Sequence, residues 1–306
     1  MEWAPLIIAV APNGARKTHQ DHTALPMTTD EIVHDAKACR DAGASMLHLH
    51  VRDQDGVHTL DAGIYREAMD AVHSAVGDDL VIQITTEAVG RYTLDEQVAL
   101  VRNVRPQAAS VALKELTTDG EDKAAGFYRW AFDEGVALQH ILYDPNEVKQ
   151  LADMIHRGAV PKEKLSVLYV LGRYGDGESQ PGDLLPFLQA ARENELCPKL
   201  WSVCAFGASE GAVALMAMSL GGHIRVGFEN NLYLNNKMLA PNNAALVKQA
   251  ADGAQLLARP VGNAEQARAL MGGGGGLNVQ DGGGNAQSVS PVRQKETIQL
   301  RDICTQ

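Results

Sequence analysis

Ala44-Ser45-Met46-Leu47-His48-Leu49-His50-Val51-Arg52-Asp53 is a short apolar run that ends in two imidazoles set one residue apart. In a strand, residues two apart share a face. Two imidazoles side by side at a strand end pack poorly but make half of a divalent-metal site. The plainer reading sends one histidine to a helix layer and leaves the other hydrogen-bonded in a core. A carboxylate far along the chain favours the metal. It stands in His223-Ile224-Arg225-Val226-Gly227-Phe228-Glu229, which also reads as a strand running into a loop.

Working outward, the same strand-then-helix unit repeats. Apolar runs at 6–11, 46–51, 80–85, 108–113, 136–142, 165–171, 199–204 and 223–227 read as strands. Amphipathic segments at 28–41, 62–76, 94–103, 124–134, 145–157, 182–194, 210–219 and 242–257 read as the helices between and after them. The first helix opens on Thr28-Thr29-Asp30-Glu31, a capping-box pattern, and stops at Gly43. The strands are apolar on both faces, as buried parallel strands are. Eight such units predict a (β/α)8 barrel, an α/β fold of the TIM type. The alternative is a doubly wound open sheet, but no GxGxxG follows the first strand. Barrel active sites collect side chains from the C-terminal ends of different strands, which would let His48, His50 and Glu229 meet.

Composition narrows the function classes. The chain has 306 residues, 45% apolar and 21% charged, enough to bury a large core. A net charge of -11 argues against non-specific binding to nucleic acid or anionic membranes. The four cysteines, Cys39, Cys197, Cys204 and Cys304, show no zinc-ribbon or redox spacing, and a reduced cytoplasmic setting is expected. The N-terminus lacks the pattern of a signal peptide, and no run approaches the roughly 20 apolar residues of a membrane span. The expected division is a barrel over 1–260 and an extension over 261–306. That extension carries Gly272 to Gly276 and Gly282 to Gly284, read as a flexible loop or, alternatively, a backbone cradle for phosphate.

Several motifs together resemble the β-keto acid cleavage enzymes, whose type member is 3-keto-5-aminohexanoate cleavage enzyme. They are Ala11-Pro12-Asn13-Gly14-Ala15, the helix entry from Leu25-Pro26 to Glu31, His48-Leu49-His50-Val51-Arg52-Asp53, Gln83-Ile84-Thr85-Thr86, and Arg225-Val226-Gly227-Phe228-Glu229-Asn230-Asn231-Leu232-Tyr233. The resemblance covers roughly residues 5 to 260. It implies a zinc-bearing barrel, assembled as a homotetramer, that converts a β-keto acid and acetyl-CoA to acetoacetate and a new acyl-CoA. It implies that His48, His50 and Glu229 bind one zinc, leaving open positions where the keto acid chelates and an enolate is stabilised. It gives Arg225 the orientation of a catalytic base, and it turns Thr85, Asn13 and Gln139 toward the substrate.

The chain departs from that pattern where the base should be. The family's Glu-Asp pair after the last strand is Glu229-Asn230 here, and an amide takes no proton at neutral pH. A fifth-strand Glu is replaced by Gln139, followed by His140, while Glu87 and Lys114-Glu115 stand where small or polar residues are usual. Glu87, Glu115 and His140 become candidate bases. Other readings are a different divalent-metal barrel, lyase or hydrolase, or a catalytically altered metal-binding ligand sensor. His19 and His22 are expected to be solvated loop residues, Arg52-Asp53 an ion pair, Cys204 a buried small residue, and Arg173 and Lys17 surface cations within reach of CoA phosphates.

Overall fold

The computed structural model describes residues 3–173 and 179–272. Eight parallel strands close into a barrel in chain order. They are β1 (Ile8–Val10), β2 (Met46–Leu49), β3 (Val81–Thr85), β4 (Ala108–Ala112), β5 (Ala137–Leu142), β6 (Ser166–Leu171), β7 (Leu200–Ala205) and β8 (His223–Val226). The helices are α1 (Thr29–Ala42), α2 (Ala62–Val76), α3 (Leu94–Val104), α4 (Leu113–Leu116), α5 (Glu121–Asp133), α6 (Pro145–His156), α7 (Leu185–Glu193), α8 (Glu210–Ser219), α9 (Asn243–Leu256) and α10 (Ala264–Met271). The (β/α)8 barrel expected from the repeat is the fold observed.

Local signals set most boundaries. Thr28 caps α1 with its side chain on the Glu31 N–H, Glu31 reaches back, and Gly43 ends the helix at φ 114°. The 182–194 helix starts later than expected. Pro186 has no N–H to give to the Gly182 carbonyl, so Pro181–Leu184 closes as a 3-10 turn before α7. The short α4, directly after β4, is a single turn of four residues with no amphipathic repeat to announce it.

The barrel interior is layered. At the N-terminal mouth Ile7, Ala9, Met46, Val81, Ala108, Ala137 and Leu200 pack with Ala264, Ala267 and Met271 of α10. Residues placed beyond the barrel by sequence thus plug its base, and Gly272, at φ 79°, caps α10. The glycine-rich segment after Gly272 lies outside the described residues. Above the plug comes a polar layer, and above that Ala112, Ile141, Leu168, Val170 and Cys204 form a small apolar floor with Tyr143 and Phe206. The helices cover the outside through one large core.

Candidate metal centre and active site

The triad forms because the ends of β2 and β8, the two neighbours of β1, meet at the C-terminal mouth. His48 lies in β2 with Met46 on its inward face, and His50 follows two residues on, so both imidazoles face the barrel axis. Glu229 arrives from the turn after β8, which Gly227 makes possible. At φ 138° that residue is in the region glycine favours, and a Cβ there would run into the Ala11 carbonyl of the neighbouring β1 end. Lys17, from the loop after β1, fixes the turn by donating to the Phe228 and Glu229 carbonyls at 2.9 and 2.6 Å.

The distances suit a metal. His48 Nε2 and His50 Nε2 are 3.1 Å apart, and Glu229 Oε2 lies 3.5 and 3.4 Å from them. Donors about 2.0–2.1 Å from a tetrahedral zinc stand about 3.3 Å from one another. The three ligand atoms lie within 4.8 Å of one another on buried residues. Electrostatics agree. Burial and the Arg225 guanidinium push His48 down to about 3, which keeps its ring neutral, as a ligand must be. Burial opposes charge on Glu229, but its surroundings, the adjacent Arg225 guanidinium foremost, outweigh burial and hold the carboxyl well below its ordinary value. Arg225 Nη2 donates to Glu229 Oε1 at 2.9 Å, to Asn230 Oδ1 at 3.4 Å and to Cys204 Sγ at 3.4 Å.

A chain of side-chain amides backs the triad. His48 Nδ1 sits 2.9 Å from Gln83 Oε1, so that nitrogen carries the proton and Nε2 presents its lone pair. Gln83 Nε2 donates to Gln139 Oε1 at 3.2 Å, and Gln139 Nε2 donates to Ser166 Oγ at 3.3 Å. Gln139, expected at the substrate, is therefore in the layer beneath the triad. Asn13 also stands back from the cavity, donating to the Pro26 and His50 carbonyls at 2.9 and 3.3 Å. Nothing in the sequence motif around Gln83 marks it as a partner of His48; its place opposite His48 in the β2–β3 register makes it one.

The cavity beside the triad is lined by Arg16, Thr85, Glu87, Lys114, Glu115, Ile141, Tyr143, Val170, Arg173, Phe206 and Arg225. Thr85 Oγ1 accepts the Glu87 N–H at 3.1 Å, which leaves its hydroxyl hydrogen to donate into the cavity. Glu87 Oε2 lies 3.9 Å from His50 Nδ1, and burial raises its carboxyl. Burial pushes Glu115 up to about 7. Asn230 is buried with its Oδ1 on Arg225, away from the cavity lining.

Three expectations change. His140 is not at the site: Gln139 and Ile141 face inward, so His140 faces the helices, stacked 5.1 Å from Tyr128 with Nδ1 donating to the Ser166 carbonyl at 3.0 Å. His22 is buried rather than solvated, with Nε2 donating to the Ala240 carbonyl at 2.8 Å and its ring 4.3 Å from Phe228, while His19 is exposed beside Glu31. Arg52 binds the backbone of the loop after β1, with donations to the Gly14, Ala15 and Lys17 carbonyls, and Asp53 caps its own turn at Asp55 and Val57. His58, missed in the sequence, packs 5.1 Å from His50 and is bound to the Glu87 carbonyl at 3.0 Å.

Comparison with known proteins decides the family. The model of the beta-keto acid cleavage enzymes matches residues 5–272. The chain belongs to the β-keto acid cleavage enzyme family. It is 30% identical to the 3-keto-5-aminohexanoate cleavage enzyme of Acetoanaerobium sticklandii over 87% of this chain and 98% of that protein. It is 28% identical to the 3-oxoadipate:acetyl-CoA acetyltransferase of Cupriavidus necator, over 88% of this chain and 95% of that one. Among solved structures it resembles ObcA, captured as a ternary complex with a C4-CoA adduct and oxalate. The TM-score is 0.67 at 15% identity, over 81% of this chain and 67% of that one, a likeness of fold. As a β-keto acid cleavage enzyme family member, the chain carries a donor set at its barrel mouth compatible with one metal ion. No helix among the described residues is long and apolar enough to cross a membrane.

Proposed function

We propose that this chain is a zinc-dependent β-keto acid cleavage enzyme that uses acetyl-CoA as co-substrate and releases acetoacetate and a new acyl-CoA. The reading rests above all on the convergence of two imidazoles and one carboxylate at 3.1–3.5 Å beside a charged cavity, in a chain of this family. A divalent ion held by His48, His50 and Glu229 would supply Lewis-acid polarisation of the keto and carboxylate oxygens of the substrate.

The protein groups divide the remaining work. The Thr85 hydroxyl donates to the substrate carboxylate. Arg225 keeps Glu229 ionised and holds Asn230 in place, so Asn230 positions rather than moves a proton. Glu87 takes the proton from the carbon between the two carbonyls. It lines the cavity, lies against His50, and its raised carboxyl is a stronger base than a solvated one.

The test is a panel of β-keto acids incubated with acetyl-CoA and zinc-loaded protein, with acetoacetate release followed. Release that depends on acetyl-CoA and stops on chelation supports the reading. No release from any acid, with one zinc bound per chain, would favour the ligand sensor.

A further inference from the structure

We propose that the side of the cavity opposite the triad is an anion site, which selects β-keto acids carrying a second negative group at the far end. The inference rests on the proposed cleavage of β-keto acids.

Barrel topology sets the geometry. The ligands come from β2 and β8, the two neighbours of β1. In a closed barrel of eight strands, β5 stands opposite β1, flanked by β4 and β6. Lys114, Tyr143 and Arg173 follow β4, β5 and β6, and all three line the same cavity as the triad. Lys114 Nζ lies 3.5 Å from the centre of the Tyr143 ring, and Arg173 Cζ lies 6.0 Å from it. Two cations therefore share one aromatic platform across the mouth from the metal ligands.

Glu115 acts on Lys114, and Glu147 on both Lys114 and Arg173, through space, so their charges are partly offset but not locked in place. Among the described residues neither Lys114 nor Arg173 forms an ion pair with a carboxylate, and both are exposed. A ring contact offsets part of a cation's charge but uses none of the hydrogen-bond donors that an anion needs. Glu115 is turned to the β3 side, where the Ala88 N–H donates to it at 3.3 Å. Between triad and cations the floor is apolar, with Ile141, Val170 and Phe206. Methylenes match such a floor, with a chelating keto acid at one end and an anion at the other. A keto diacid fits this description, and so would a CoA phosphate entering from outside. The line of chelating head, apolar floor and cations in one cavity favours the diacid.

The experiment compares two six-carbon substrates on zinc-loaded protein, 3-oxoadipate and 3-oxohexanoate, and measures adipate and hexanoate binding by calorimetry. A charge-assisted contact predicts about a tenfold or greater preference for the diacid in kcat/KM and in affinity. Lys114→Met and Arg173→Met should each reduce that preference. Equal treatment of the members of each pair by the parent protein overturns the anion site and leaves the cleavage reading standing. A preference unchanged in both variants also overturns it, and if their KM for acetyl-CoA rises instead, the cations serve CoA. If neither acid is cleaved while adipate still binds more tightly than hexanoate and the variants erase the difference, the cleavage reading falls and the anion site stands.

Discussion

At the residue scale, Glu87 and Gln83 separate two kinds of contribution. Glu87→Gln removes a proton acceptor and keeps its size. The expected result is a fall in kcat of about 10²-fold or more, with zinc content unchanged. A kcat within about threefold of the parent rules Glu87 out as the base. Gln83 acts through His48, whose Nδ1–H it accepts at 2.9 Å. Gln83→Leu should weaken zinc binding about 10–100-fold in a chelator competition, the usual scale for losing the partner of a ligand histidine. Gln83→Glu, which still accepts that proton, should restore most of the affinity. Equal loss in both variants would mean that the amide chain is only packing.

At the element scale, the base of the barrel depends on α10, and the mouth depends on one turn. Ala267 is fully buried against the inner plug. Ala267→Asp puts an unpaired charge there, and the expected outcome is a loss of about 3 kcal/mol or more in denaturant unfolding. An unchanged midpoint would mean that α10 undocks freely. Thr28→Ala removes the side-chain half of an exposed capping box and should cost about 1 kcal/mol. The strand and helix repeat was legible because period and caps are local. What sequence left unread, α4 and the docking of α10, depends on contacts with distant strands.

At the scale of the whole molecule, buried carboxyls set the pH response. Burial pushes Asp35 and Glu115 up to about 7 and Glu210 to about 8. Each holds a proton in the folded chain that it has lost in the unfolded one above about pH 4–5, so its contribution is full below that value and disappears as pH rises through 7–8. His48, His58 and His223 are lowered by burial to about 3 and have the opposite slope, confined to the range below their ordinary 6.5. Between about pH 7 and 8.5 the carboxyls carry most of the slope, and the Cys39 and Cys204 thiols, raised by burial, begin to add to it in the same direction near the top of that range. The chelated protein should therefore lose thermal stability between pH 7 and 8.5, and a midpoint that rises over that range would contradict these assignments. Zinc should raise the midpoint at fixed pH, because an ion held by the folded triad at about 1,000 times its Kd adds about 4 kcal/mol.

The sequence by itself determined the barrel, since eight local patterns in order admit few topologies. It also put His48 and His50 on one face, because a two-residue spacing on a strand fixes a shared face. The tertiary structure decided what spacing along the chain cannot carry. It put His140 on the outer face of β5 and Gln139 beneath the triad, a matter of strand register around a closed barrel. It turned Lys17 from a surface cation into a clamp on the Glu229 turn, a contact across 212 residues of sequence. And it placed Lys114 and Arg173 on one ring opposite the metal ligands, because barrel closure alone determines which strand ends face each other.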